Sequence, residues 1–187
     1  MRKEYASLRR RPFLAPVWIL TFLAAVSLLV AGWAVHVATT TVVIVIRHAE
    51  KASDGTADPA LTSDGLGRAA RLAGLLGSGT AGTGIDAIFV TQFRRSRETA
   101  QPLAVQRAIP VVTLPADDVA GLEQRIESEF SGRRVLVVAH TDTIPEIVRR
   151  LGQGAAPPPI ADDEFSTAYL IAIPRWGKPS VLRLSLP

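Results

Sequence analysis

The period of apolar positions changes in blocks along this chain. From Phe13 to Ala38 no charged residue occurs, and Val17 to Val35 holds little besides Ala, Leu, Val, Ile, Phe and Trp. At about 1.5 Å per helical residue, that run spans a hydrocarbon core of ~30 Å. Thr41-Val42-Val43-Ile44-Val45-Ile46 follows. Its unbroken apolar character predicts a strand over 42–46 covered on both faces. Leu66, Ala69, Ala70, Ala73 and Leu76 recur at helical spacing and predict a helix over 63–77. The same reading gives a strand over 86–90, a helix over 93–107, a short strand over 111–114, a helix over 117–130 capped by Asp117 or Asp118, and a strand over 135–139. Gly77 to Gly84 is a surface loop by composition, and Arg149-Arg150 suits a helix C-terminus. After Pro157-Pro158-Pro159, runs over 168–173 and 180–185 flank Trp176-Gly177-Lys178-Pro179 and predict a hairpin on the sheet edge. The alternation gives an α/β fold: a doubly wound, mostly parallel sheet with helices on both faces, preceded by one N-terminal transmembrane helix.

Charge sharpens the division. Residues 1–40 carry five basic side chains and one acidic one, and the remainder carries 16 of each. The sequence pI near 10.1 therefore belongs to the N-terminal tail and gives no reason to expect nucleic acid as a partner. Three parts are expected: a basic cytoplasmic tail over 1–12, an anchor over 13–38 and a catalytic domain over 41–187. Arg2, Lys3, Arg9, Arg10 and Arg11 precede the apolar run. The positive-inside tendency then keeps the N-terminus cytoplasmic and places the domain in the periplasm or outside the cell. A cleavable signal peptide is the competing reading, disfavoured because its apolar region usually runs only ~7–15 residues. Cysteine is absent, which excludes disulfides, thiolate catalysis and cysteine metal sites.

The chemistry sits where strands end. Arg47-His48-Ala49-Glu50 follows the first strand, Arg94-Arg95-Ser96-Arg97 follows the second, and His140 follows Val135 to Ala139. In an open α/β sheet, ligands bind beyond the C-terminal ends of the strands. Neutral imidazole attacks phosphorus readily and divides one difficult transfer into two easier ones. A phosphoryl group in flight spreads its charge over three oxygens and needs fixed cationic donors, a task that suits arginine forks. Arg47, Arg95 and a protonated His140 would supply them. Taken singly, an Arg-His pair after a strand is more often a solvated strand end than a nucleophile.

Arg47-His48-Ala49-Glu50 resembles the Arg-His-Gly/Ala-Glu signature of the histidine phosphatase superfamily, in its phosphoglycerate mutase-like branch. Leu61-Thr62-Ser63-Asp64-Gly65-Leu66-Gly67-Arg68-Ala69 is similar to that family's Leu-Thr-x-x-Gly-x-x-Gln/Arg-Ala helix start. Thr91 to Ala100 is similar to its Ser-x-x-x-Arg-x-x-x-Thr-Ala segment, which aligns the phosphate-binding arginine with Arg95. The strand ending at His140 resembles the one that delivers the second histidine. These four matches are collinear over roughly residues 42–152. The resemblance implies a phosphohistidine on His48, with Arg47, Arg95 and His140 holding the phosphoryl group and no metal or other cofactor required. Thr91 and Glu50 are candidate binding residues that sequence does not separate from structural ones.

The family's general acid is less legible. Acid phosphatases place Asp directly after the second histidine, where this chain has Thr141, with Asp142 one position later. Asp117 and Asp118 are the nearest counterparts of the mutase glutamate, and Asp118 is ranked slightly above Asp142. The expected activity is hydrolysis of a small phosphomonoester, because the interval from Ala100 to Val135 is too compact for the lid a mutase needs. Mutase-like transfer and a non-catalytic tethered binding or scaffold protein remain the alternatives. Thr39 to Thr41 leave almost no spacer after the apolar run, which brings lipid-linked phosphates among the substrates to be tested.

Overall fold

The computed structural model describes residues 15–78, 84–154 and 156–186. The basic tail, the first residues of the anchor and the middle of the Gly-rich loop lie outside the described residues. The chain divides between Val37 and Ala38 into two compact units. The first holds all of α1 (Ala15–Ala38) except its last residue, and Val17–Ala38 has mean hydropathy 2.1 and no buried residue. By length and composition this helix could cross a membrane, and a signal sequence passes the same test.

The second unit runs β1 (Thr41–Arg47), α2 (Ser63–Gly77), β2 (Ala87–Thr91), α3 (Arg94–Arg107), β3 (Val111–Leu114), α4 (Val119–Glu129), β4 (Arg134–Ala139), α5 (Ile144–Gly152), β5 (Thr167–Ile173) and β6 (Ser180–Ser185). Its six strands lie in the order β3-β2-β4-β1-β5-β6. The first four are parallel, and the β5–β6 hairpin adds antiparallel at the β1 edge. This is the mixed α/β sheet that the alternation predicts. α5 is the element that periodicity signalled only at its C-terminus. It has just nine residues, yet it buries Ile144, Ile147, Val148 and Leu151 along one stripe.

The unbroken apolar strands follow from two-sided burial. On one face Val43, Val45, Val135 and Val137 meet Leu122 and Ile126 of α4 and the α5 stripe. On the other, Ile46, Ile88, Val90, Leu136 and Val138 meet Leu72 and Ala73 of α2 and Ala100 and Leu103 of α3. Each fully buried Val or Ile contributes ~1.5–3 kcal/mol, so neither face tolerates the polar alternation of a half-exposed strand.

This topology gives the sheet two different poles. The C-terminal ends of β1, β4 and β2 come together at one. At the other lie the entry of the chain into β1 and the β5–β6 turn, since Thr41 pairs with Ile173.

Candidate active site

His48 leaves β1 with its backbone N–H donating to Ala139 O of β4 at 3.1 Å. That bond carries the sheet register one residue past the strand and brings the His48 ring to 5.2 Å from the ring of His140, centroid to centroid. The loop beyond is held from two sides. Ala49 N–H donates to Thr99 Oγ1 at 2.9 Å, and Thr62 N–H donates to Glu50 O at 2.9 Å. Gly65 makes the second contact possible, because a Cβ there would overlap the Glu50 carbonyl.

His48 Nδ1 lies 2.7 Å from Ala49 O. A carbonyl only accepts, so Nδ1 carries the proton and Nε2 keeps its lone pair. Burial, opposed by the Ala49 bond and reinforced by the charges of His140, Arg95 and Arg47, lowers the His48 pKa to about 4. His140 is lowered to about 4 by burial and then by Arg95, while the charge of Asp142 opposes the shift. Both rings are thus neutral at ordinary pH, so burial and Arg95 deny His140 the positive charge that the sequence reading expects of it.

The arginines close the site. Arg47 Nη1 donates to the carbonyls of Ala161, Asp162 and Glu164 at 3.1, 2.8 and 3.3 Å. Its guanidinium lies 4.3 Å from the Phe165 ring centroid. Arg95 lies 4.2 Å from the Phe93 ring, and Phe93 meets His140 edge-on at 5.3 Å. Arg95 is turned inward, its side chain 14% exposed, whereas Arg94 is 56% exposed and pairs with Glu98 at 2.6 Å. Arg97 donates to Gln92 O. Arg47 Nε, Arg95 Nε and His140 Nδ1 are all buried without a protein partner. Three such groups around one histidine suit an anion, because an unmet buried donor costs ~1–3 kcal/mol.

The other candidates occupy distinct places. Thr91 Oγ1 bonds His140 Nε2 at 2.8 Å and so orients that ring. Glu50 is drawn aside by Arg68, whose Nε donates to its oxygens at 2.9 and 3.0 Å. Burial raises the Glu50 pKa, but those bonds outweigh it and the net shift is downward. Asp118 caps α4, accepting from Gly121 N–H at 2.9 Å, as the helix prediction expects. With Thr91, Leu114 and Ile147 it also lines a cavity of about 20 Å³ on the α4–α5 side. Asp142 is exposed, in the turn between His140 and α5. A cleft of about 490 Å³ lined by Arg47, Glu50, Lys51, Ser53, Asp162 and Phe165 adjoins the site.

Sequence reasoning gave no role to Ser96, Thr99, Asp58 or Phe165. Ser96 is fully buried, donating to Val138 O at 2.8 Å and accepting from Thr91 N–H at 3.1 Å. Asp58 accepts from Arg94 N–H at 2.8 Å and fixes the start of α3. The Ser96 and Thr99 positions were visible within the arginine motif; Phe165 had no local signal. Among the described residues, no group of three or more His, Cys, Asp or Glu is placed to hold a metal ion.

Residues 43–116 match the family model of the histidine phosphatase superfamily, branch 1. The fold and the matched segment are those of the histidine phosphatase superfamily. Among solved structures, the protein histidine phosphatase SixA complexed with tungstate is 22% identical, with TM-score 0.63 over 77% of this chain and 96% of that one. A mycobacterial glucosyl-3-phosphoglycerate phosphatase is 15% identical, with TM-score 0.57 over 79% and 98%. The alpha-ribazole phosphatase of Shigella flexneri is 17% identical, with TM-score 0.56 over 72% and 94%. At these identities the likeness establishes the fold alone. No curated protein matches the chain in sequence.

The histidine shifts carry a stability consequence. Both rings have folded pKa values of about 4 against an ordinary 6.5. The unfolded chain therefore takes up protons first, so stability is full above about pH 6.5 and falls toward pH 4. Chemical denaturation in detergent across that window should show the loss, and His48→Asn should remove about half of it, leaving the share of His140. An equal slope in the variant would mean that His48 is not buried as a neutral ring.

Proposed function

We propose that this protein is a membrane-anchored phosphatase that hydrolyses phosphomonoesters through a phosphohistidine on His48. The observation that carries the reading is the tautomer of His48, its Nε2 left free beside three unpartnered buried groups on Arg47, Arg95 and His140. In the first step the Nε2 lone pair forms a bond to phosphorus while the bond to the ester oxygen breaks, and that oxygen takes a proton from a carboxylic acid. In the second, water attacks phosphorus and gives its proton to the same carboxylate, and the N–P bond breaks to release inorganic phosphate. Nδ1–H stays on Ala49 O throughout.

For the acid we favour Asp142 over Asp118. Asp142 acts electrostatically on His140, whereas the Asp118 carboxylate already serves the α4 cap. Thr91 and Glu50 then act as positioning residues, the first on His140 and the second on the loop after His48. The basic tail and the apolar helix support a cytoplasmic N-terminus with the domain on the periplasmic or extracellular side.

The test uses the detergent-solubilised full chain on alkyl and aryl phosphates. Release of inorganic phosphate is expected, inhibited by tungstate, the anion bound in the SixA structure. Transfer of phosphate between positions of a sugar phosphate, without release, would favour the mutase alternative. Asp142→Asn should slow alkyl phosphates much more than activated aryl ones, since a good leaving group needs no proton. The same selective loss in Asp118→Asn instead would return the acid to that position.

A further inference from the structure

We infer that the pole opposite His48 is a lipid-binding face that seats the domain on an anionic membrane surface. This rests on the reading of α1 as membrane-inserted. The sheet makes the pole: β1 begins at Thr41 opposite Ile173, β4 begins at Arg134 opposite Val42, and the β5–β6 turn closes between them. The turn presents Arg175, Trp176 and Lys178 to solvent, with Trp176 59% exposed and Arg175 5.5 Å from its ring. An exposed indole beside cations is costly in water and suits the headgroup layer, where one side is apolar and the other wet. Arg133, 64% exposed, lies across the pole. Arg133 and Arg175 together line a cleft of about 480 Å³ with Ser131 and Gly132, enough for a phosphate headgroup.

Acids are present too. Asp86 lies 3.9 Å from Arg133, and Glu127 lines a neighbouring hollow with Arg175. Arg133, Arg175 and Lys178 outnumber them, so the pole keeps a positive excess toward an anionic leaflet. Ala38 and Thr39 line the same cleft as Arg175, so the chain enters the domain on this face. A covalent tether there raises the local lipid concentration, so weak contacts suffice.

The seven-residue β1 separates the two poles by about 20 Å at ~3.3 Å per residue. A domain seated this way turns His48 toward water. Its substrates then arrive from the aqueous side, which counts against the lipid-linked phosphates that the short spacer suggested.

Because the chain has no cysteine, one introduced thiol labels one place. Ser180→Cys beside the turn and Ala57→Cys in the loop after His48 each receive a fluorophore in the full chain. Flotation with vesicles of phosphatidylglycerol or phosphatidylcholine reports the anchor. Quenching by a headgroup-bound quencher in nanodiscs reports the pole. Strong quenching at 180 and little at 57 is expected in phosphatidylglycerol. High salt or the triple variant Arg175→Ser, Trp176→Ser, Lys178→Ser should reduce it several-fold and leave phosphatase turnover unchanged. Flotation with equal quenching at both positions, or quenching at 180 that ignores lipid charge, would overturn the lipid face and leave the anchor standing. Failure to float with either lipid would remove both.

Discussion

Replacing His48 by alanine should abolish phosphate release, with a loss on the order of 10³–10⁶ as for other removed nucleophiles. The geometry leaves no substitute. His140 is the other imidazole in the site, but its Nε2 is engaged by Thr91, and no bond to a main-chain carbonyl like that of His48 Nδ1 fixes its tautomer. Wild-type enzyme quenched during turnover of labelled substrate should carry acid-labile, base-stable phosphate, and His48→Ala should carry none. Label persisting in the variant would move the nucleophile elsewhere. Between His48→Ala and His48→Asn the loss should be similar, since neither side chain offers an attacking lone pair.

Arg95→Ala should cost ~10²–10³ in kcat, the effect of losing one positioned donor to a developing oxyanion. Three arginines lie within four residues, and only Arg95 is loosely held, its Nη1 standing 4.0 Å from Asp58 Oδ1. Arg94 is engaged by Glu98, Arg97 by the Gln92 carbonyl, and Arg95 alone turns its buried Nε inward without a partner. Arg94→Ala and Arg97→Ala should therefore lose far less. Arg95→Lys should recover little, because a point charge does not reproduce the planar fork. A larger loss at 94 or 97 than at 95 would break the assignment.

The sequence made the strands and their ends legible for one physical reason. A sheet covered on both faces writes continuous apolar runs, and the change to Arg47-His48 or to His140 marks the point where cover stops. Arg95 was legible because its motif is local, with Thr99 one helical turn on. What stayed hidden was set by distant contacts. Phe165 reaches Arg47 from the far side of the chain, Arg68 withdraws Glu50, and Ser96 joins α3 to β4. None of these pairings has a fixed spacing in sequence. The acid was ambiguous because a carboxylate after a strand serves equally as a helix cap, and Asp118 is one.

The sheet order also governs how the protein must be made. β1 lies between β4 and β5, so Val42 waits for Arg134 and Ala172 to be synthesised before either of its edges can pair. At ~5–20 residues per second that wait is on the order of ten seconds. Throughout it, an apolar strand with two open edges follows directly behind an apolar helix, and both invite aggregation. Arg47, next to His48, receives its carbonyl partners from residues 161–164, made after β4 and before β5. The nascent chain thus carries His48 without the partners that surround it in the fold for most of its synthesis, and biogenesis depends on whatever keeps that early segment apart until the C-terminal hairpin arrives.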